Sequence, residues 1–116
     1  MADIRVIATT KLRDRLARDH EGPQLWNVLT DQYFHGEMIP GSRRVPLDTL
    51  GREVAETALP KDAEIIVYCA GPTCPQSRAA AEKLAHFGYT NVQAYEGGLE
   101  QWKAAGFEVE RVPVAA

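Results

Sequence analysis

Two hydrophobic periods succeed each other along this chain, and the change from one to the other is sharpest at Ile65-Ile66-Val67-Tyr68. That continuous apolar run is rich in β-branched residues and too short for a helix, so it predicts a strand buried on both faces. It stops at Cys69, crosses Ala70-Gly71-Pro72-Thr73 and enters an Ala-rich stretch in which Ala80, Ala81, Leu84 and Phe87 recur at helical spacing. Gly88 ends that helix, and Asn91 to Tyr95 predicts the next parallel strand.

Upstream, Ile4 to Ala8 predicts a short strand, and Thr10 is placed to cap a helix over 11–18 with Leu12 and Leu16 on one face. Glu21-Gly22-Pro23 ends it, Gln24 to Leu29 predicts a buried strand, and Thr30 is placed to cap a short helix through Tyr33. Phe34 to Arg44, with Gly36, Pro40 and Gly41, reads as an ordered surface loop. Leu47 or Asp48 opens a helix through Ala55 with Leu50 and Val54 inward, and Leu59 to Asp62 turns the chain into the central strand. Gly97-Gly98 leads into a short helix that brings Trp102 onto the core, and Phe107 onward supplies an edge strand up to Val112. Strands alternating with helices imply an α/β fold: a mostly parallel sheet of about five strands, helices on both faces.

With 116 residues the chain suits one domain spanning 1–116, with no repeat or linker. A net charge of −3 offers nothing to nucleic acid or an anionic membrane. No apolar run reaches the length of a membrane span, and Met1-Ala2-Asp3-Ile4-Arg5 lacks a signal peptide's apolar core, so a cytoplasmic location is expected.

Cys69 and Cys74 are the only cysteines, and both lie on the loop after the central strand. A disulfide between them would close a tiny ring and staple nothing distant, which argues for a reduced, reactive pair. His20, His35 and His86 are scattered, so no metal site is expected. At the carboxyl end of a parallel strand, facing a helix N-terminus, a thiolate is favoured by free N–H groups and the helix dipole. Pro75 suits the first helical position and Cys74 the N-cap before it, so both thiols are expected to be acidic.

The run Tyr68-Cys69, then Ala80-Ala81-Glu82-Lys83-Leu84, Gly88-Tyr89-Thr90-Asn91-Val92 and Gly97-Gly98-Leu99-Glu100-Gln101-Trp102 resembles the C-terminal half of a rhodanese domain. Trp26-Asn27-Val28-Leu29, Tyr33, Ile39-Pro40-Gly41-Ser42 and Val45-Pro46-Leu47 resemble its N-terminal half. The resemblance implies a rhodanese-like fold without cofactors and a sulfurtransferase with Cys69 as nucleophile. Such an enzyme takes a sulfane sulfur from a small donor, thiosulfate or a persulfide, and passes it to a thiol or cyanide; a protein sulfur acceptor or thiol reductant is a further partner. Ala70, Gly71, Pro72, Thr73, Pro75, Gln76, Ser77 and Arg78 complete the active-site loop, whose amides, the prolines excepted, are available to hold an anionic persulfide.

Several positions depart from the family's commonest pattern. Its loop glycine and Arg-Ser pair are replaced by Pro72, Cys74 and Pro75, and the paired alanines come two residues late. Asn27, Leu29 and Met38 stand where Asp, Arg and His are usual. These changes suggest a subgroup with a two-cysteine loop, in which Cys74 either resolves the Cys69 persulfide or is simply a small residue at a helix start. Arg78 replaces the missing loop charge only if the helix sets it at the rim. Arg43 and Arg44 either attract an anionic donor or are surface charge, His35 is either a rim residue or a plain loop histidine, and Trp26 and Trp102 are read as core. A phosphatase or arsenate reductase of related loop type would need an Arg where Pro75 stands. The alternative to the enzyme is a non-catalytic or thiol-redox module using the Cys69/Cys74 pair.

Overall fold

The structure is a computed structural model and describes residues 4–18 and 22–113. Five short strands form one sheet in the order β1-β6-β5-β2-β4, every neighbouring pair parallel. These are β1 (Arg5–Val6), β2 (Gln24–Asn27), β4 (Arg43–Arg44), β5 (Ile65–Tyr68) and β6 (Val92–Tyr95). The β-branched run of β5 takes the middle place, where both faces are covered and all four residues are buried.

Alternation along β5 divides the core in two. Ile65, Val67 and Cys69 point to the layer holding Leu50 and Val54 of α2 (Leu50–Thr57) and Ala80, Ala81 and Leu84 of α3 (Gln76–His86). Ile66 and Tyr68 point to the other, with Leu12 of α1 (Thr9–Arg18) and Trp102 of α4 (Gly98–Ala104). Each fully buried aliphatic residue contributes about 1.5–3 kcal/mol relative to exposure. Trp26 and Trp102 are core, as expected, and the Trp102 indole N–H donates to the Glu108 carbonyl at 2.7 Å.

Several expectations need correction. The fifth strand is β4, from within the predicted loop, because Arg43 and Arg44 pair with Trp26 and Asn27. The C-terminal strand β7 (Glu110–Arg111) instead forms a separate antiparallel ribbon with β3 (Glu37–Met38), also from that loop. Helix α1 starts at Thr9, so Thr10 lies inside it. Residues 47–49 form a 3-10 turn ahead of α2, which runs on to Thr57 and closes on Ala58 in a left-handed conformation, φ 49°. Glu21, in the predicted stop of α1, His20 and the chain start lie outside the described residues.

Candidate functional site

Cys69 follows β5 directly, at the carboxyl end of the middle strand, and its side chain is fully buried. It faces the α3 layer and does not reach the surface. Pro72 and Thr73 form an exposed turn, closed by the Cys74 amide donating to the Gly71 carbonyl at 3.0 Å. The chain then enters α3 at Gln76. Pro75 is the N-cap and the half-buried Cys74 precedes it, one position outside the expected frame.

This geometry reverses the expected acidity of Cys69. Its thiol donates to the Cys74 carbonyl at 3.4 Å, a bond only the protonated form makes. Burial, followed by the neighbouring Cys74 side chain, pushes its pKa up to about 11, against the opposing pull of the Ser77 amide and hydroxyl. Ser77 is itself fully buried, and its Oγ has no hydrogen-bond partner of good geometry. An unpaired buried hydroxyl costs about 1–3 kcal/mol, so the loop carries a donor in reserve beside the sulfur.

Two other strand ends brace the loop. After β2, the Thr30 amide donates to Gln76 Oε1 at 3.0 Å while Gln76 Nε2 donates to Thr30 Oγ1 at 3.1 Å. The Thr30 hydroxyl is thereby spent on Gln76, and it makes no cap bond to the 3-10 turn Asp31–Tyr33. After β6, the amides of Leu99 and Glu100 donate to the carbonyls of Cys69 (3.1 Å) and Ala70 (2.8 Å).

Above the loop lies a cleft with two adjoining lobes that share Leu29, Tyr33, His35 and Ala70. The larger, about 380 Å³, is completed by Cys74, Pro75 and Gln76; the other, about 260 Å³, by Glu37, Leu99, Glu100 and Lys103. His35, one of whose two sequence readings was a plain loop histidine, is exposed and borders both lobes. Tyr33, Leu99, Glu100 and Lys103 were not anticipated as rim residues. The available signal was topological, since loops after the strands flanking β5 open at the same sheet edge.

The arginines considered for an anionic donor are engaged elsewhere. Arg44 donates to the carbonyls of Asn27 (3.2 Å) and Leu29 (2.6 Å) and to Asp31 (2.7 Å), and stacks 4.1 Å from the Phe34 ring centroid. Arg43 pairs with Glu53 at 2.6 Å. Arg78 pairs with Glu96 at 2.9 Å and does not line the cleft, so it does not replace the missing loop arginine. Among the described residues no cluster of His, Cys, Asp and Glu could hold a metal ion, and no helix is long and apolar enough to cross a membrane.

A family model described as "Rhodanese-like domain" matches residues 9–105. The chain belongs to the rhodanese-like family. Among solved structures, this rhodanese-like chain is similar to a Bacillus halodurans protein (27% identity, TM-score 0.81, 92% of this chain and 77% of that one). It is also similar to the rhodanese-like domain of an Anabaena protein (25% identity, TM-score 0.80, 98% and 88%). A thiosulfate sulfurtransferase from Pseudomonas aeruginosa matches with 29% identity and TM-score 0.77, over 93% of this chain but 20% of that one. The rhodanese-like fold is thus supported by sequence family and by architecture, and the matches support a sulfurtransferase-type or rhodanese module.

Proposed function

We propose that this rhodanese-like protein is a sulfurtransferase that carries a sulfane sulfur on Cys69. The observation that carries the reading is the pairing of a buried thiol at the end of β5 with the unsatisfied Ser77 hydroxyl next to it. With a pKa of about 11 the resting thiol is ionised to only about one part in a thousand at pH 8, so deprotonation accompanies attack. With thiosulfate, the Cys69 sulfur bonds the sulfane sulfur and the S–S bond of the donor breaks. The electron pair leaves on sulfite, which takes up the Cys69 proton. The anionic persulfide turns the Ser77 hydroxyl and amide into charge-assisted donors. A nucleophile such as cyanide or a thiolate then removes the outer sulfur and regenerates the Cys69 thiolate.

Intact mass after thiosulfate treatment in thiol-free buffer, followed by a cyanide chase, tests this. Wild type and Cys74→Ser should each gain one cyanide-labile sulfur, and Cys69→Ser none. Uptake by Cys69→Ser, or by no variant with either thiosulfate or an organic persulfide, would overturn it.

A second role is favoured by the 3.4 Å contact from Cys69 Sγ to the Cys74 carbonyl and by the place of Cys74 on the cleft wall. Here the Cys74 thiolate attacks the inner sulfur of the Cys69 persulfide and expels hydrosulfide. The two cysteines are oxidised to a disulfide, the sulfane sulfur is reduced, and a dithiol reductant reopens the bridge. On standing after loading, wild type should release sulfide and end two hydrogens lighter than the untreated protein, whereas Cys74→Ser should retain its persulfide. Both cysteines are free, which suits a reducing compartment such as the cytoplasm.

A further inference from the structure

We infer that the cleft bordered by Ala70 and Cys74, beside buried Cys69, selects a singly charged sulfane donor bearing an apolar substituent, with Glu100 disfavouring dianions and Tyr33 receiving the substituent. This rests on the sulfurtransferase reading and names its donor class.

Glu100 is tied to the active-site loop twice. Its amide donates to the Ala70 carbonyl at 2.8 Å, and its carboxylate lies so close over Gly71 that a Cβ there would stand 2.6 Å from Oε2. Among the described residues Glu100 has no ion-pair partner. Lys103, the cation on the same wall, is engaged by Glu37 at 2.9 Å. A dianion approaching Ala70 therefore meets an uncompensated carboxylate and no free ammonium or guanidinium.

The rest of the lining asks for apolar surface. Tyr33 is one of two large hydrophobic residues exposed among the described residues, at 53%, and it borders both lobes beside buried Leu29. Leu99 adds apolar lining to the smaller lobe and Pro75 to the larger. An aromatic or aliphatic group placed there covers a ring that otherwise faces water.

An organic thiosulfonate has both properties. Cys69 gives up its proton to solvent as its sulfur attacks the sulfane sulfur, a new S–S bond forms, and the bond from sulfane sulfur to sulfonyl sulfur breaks. The electron pair departs on the sulfinate, and the negative charge stays on the outer sulfur of the persulfide. Thiosulfate reacts in the same way but carries one more charge and no substituent.

The test compares kcat/KM for thiosulfate, methanethiosulfonate and benzenethiosulfonate, with cyanide as acceptor, in wild type, Glu100→Gln and Tyr33→Ala. Both side chains are exposed, so the substitutions leave the core untouched. Glu100→Gln should raise the thiosulfate to methanethiosulfonate ratio about 3- to 10-fold, the size expected of one partly screened charge. Raising the salt concentration should raise that ratio in wild type and leave it nearly flat in the variant. Tyr33→Ala should lower the benzenethiosulfonate to methanethiosulfonate ratio by about 3- to 10-fold through lost apolar contact. Ratios that do not move in these variants overturn the inference while leaving sulfur transfer intact. Failure of all three donors to load Cys69 overturns this inference, and failure of an organic persulfide as well removes the sulfurtransferase reading with it.

Discussion

Gly98 stands directly against Cys69: a Cβ at Gly98 would lie 2.5 Å from the Cys69 carbonyl oxygen and 2.7 Å from the Gly71 nitrogen. Its φ of +61° is also left-handed. The start of α4 is thereby pressed onto the backbone that presents the thiol, and this contact places Leu99 and Glu100 to bond the Cys69 and Ala70 carbonyls. Gly98→Ala should destabilise the fold by about 2–4 kcal/mol, since neither the backbone nor its neighbour can yield cheaply. Urea unfolding measures the loss. Cys69 alkylation should also quicken as the loop is displaced, and an unchanged midpoint would contradict the contact.

Ser77→Ala should separate stability from activity. The hydroxyl is buried without a partner, so its removal should leave the unfolding midpoint unchanged or raise stability by up to about 1 kcal/mol. The same change should slow sulfur loading of Cys69 by about tenfold or more, by analogy with loss of one anion-hole donor. Equal losses of stability and rate would show that Ser77 serves packing alone.

The buried Cys69 thiol predicts a pH dependence with a definite sign. Its pKa is raised in the folded protein from 9.0 to about 11, so folding favours the protonated form. That contribution is fully present below about pH 9 and is lost as pH rises towards 11. Wild type should lose more stability than Cys69→Ser across this window, and iodoacetamide alkylation of Cys69 should climb about tenfold per pH unit up to pH 10. A plateau near pH 8 would mean an acidic thiol instead.

Ala58 closes α2 with φ 49°, its amide bonded to the Val54 carbonyl at 3.1 Å. An L-residue with a Cβ is strained there, and glycine is the residue that helix ends of this kind favour. Ala58→Gly should raise stability by about 0.5–1 kcal/mol, read by thermal or chemical denaturation, with sulfur loading unaltered.

Arg44 offers a test of charge against structure. Its bonds to Asn27, Leu29 and Asp31 hold the segment after β2 against β4, and desolvation there outweighs the support of Asp31 and lowers its pKa. Arg44→Met should cost about 1–3 kcal/mol by leaving the Leu29 carbonyl without a donor, whereas the Asn27 carbonyl keeps the Val45 amide. The KM for thiosulfate should stay within a factor of about two, since a single guanidinium already paired in the fold adds little attraction.

How far the chain could be read depended on the range of the interactions involved. The periodic runs determined β2, β5, β6 and the helices packed on them, because burial of alternate residues is a local pattern that each segment carries in itself. The Tyr68-Cys69 boundary placed the candidate nucleophile for the same reason. Short pairings were not legible: β3, β4 and β7 are two residues each, and nothing local to Glu37, Arg43 or Glu110 says which backbone will lie beside it. Tertiary structure also decided the state of the thiol. A helix start next to Cys69 predicts an acidic sulfur, yet Cys69 is buried with its S–H directed at the Cys74 carbonyl, and desolvation outweighs the Ser77 donors. Desolvation depends on what covers a group, and the cover here comes from residues far apart in sequence: Gln76 clasped by Thr30, and Gly98 pressed on Cys69 from the end of β6. The sequence alone could single out the candidate nucleophile, because a strand end is a local event. The tertiary structure decided the charge and access of that residue, because both are set by neighbours that the chain brings together only on folding.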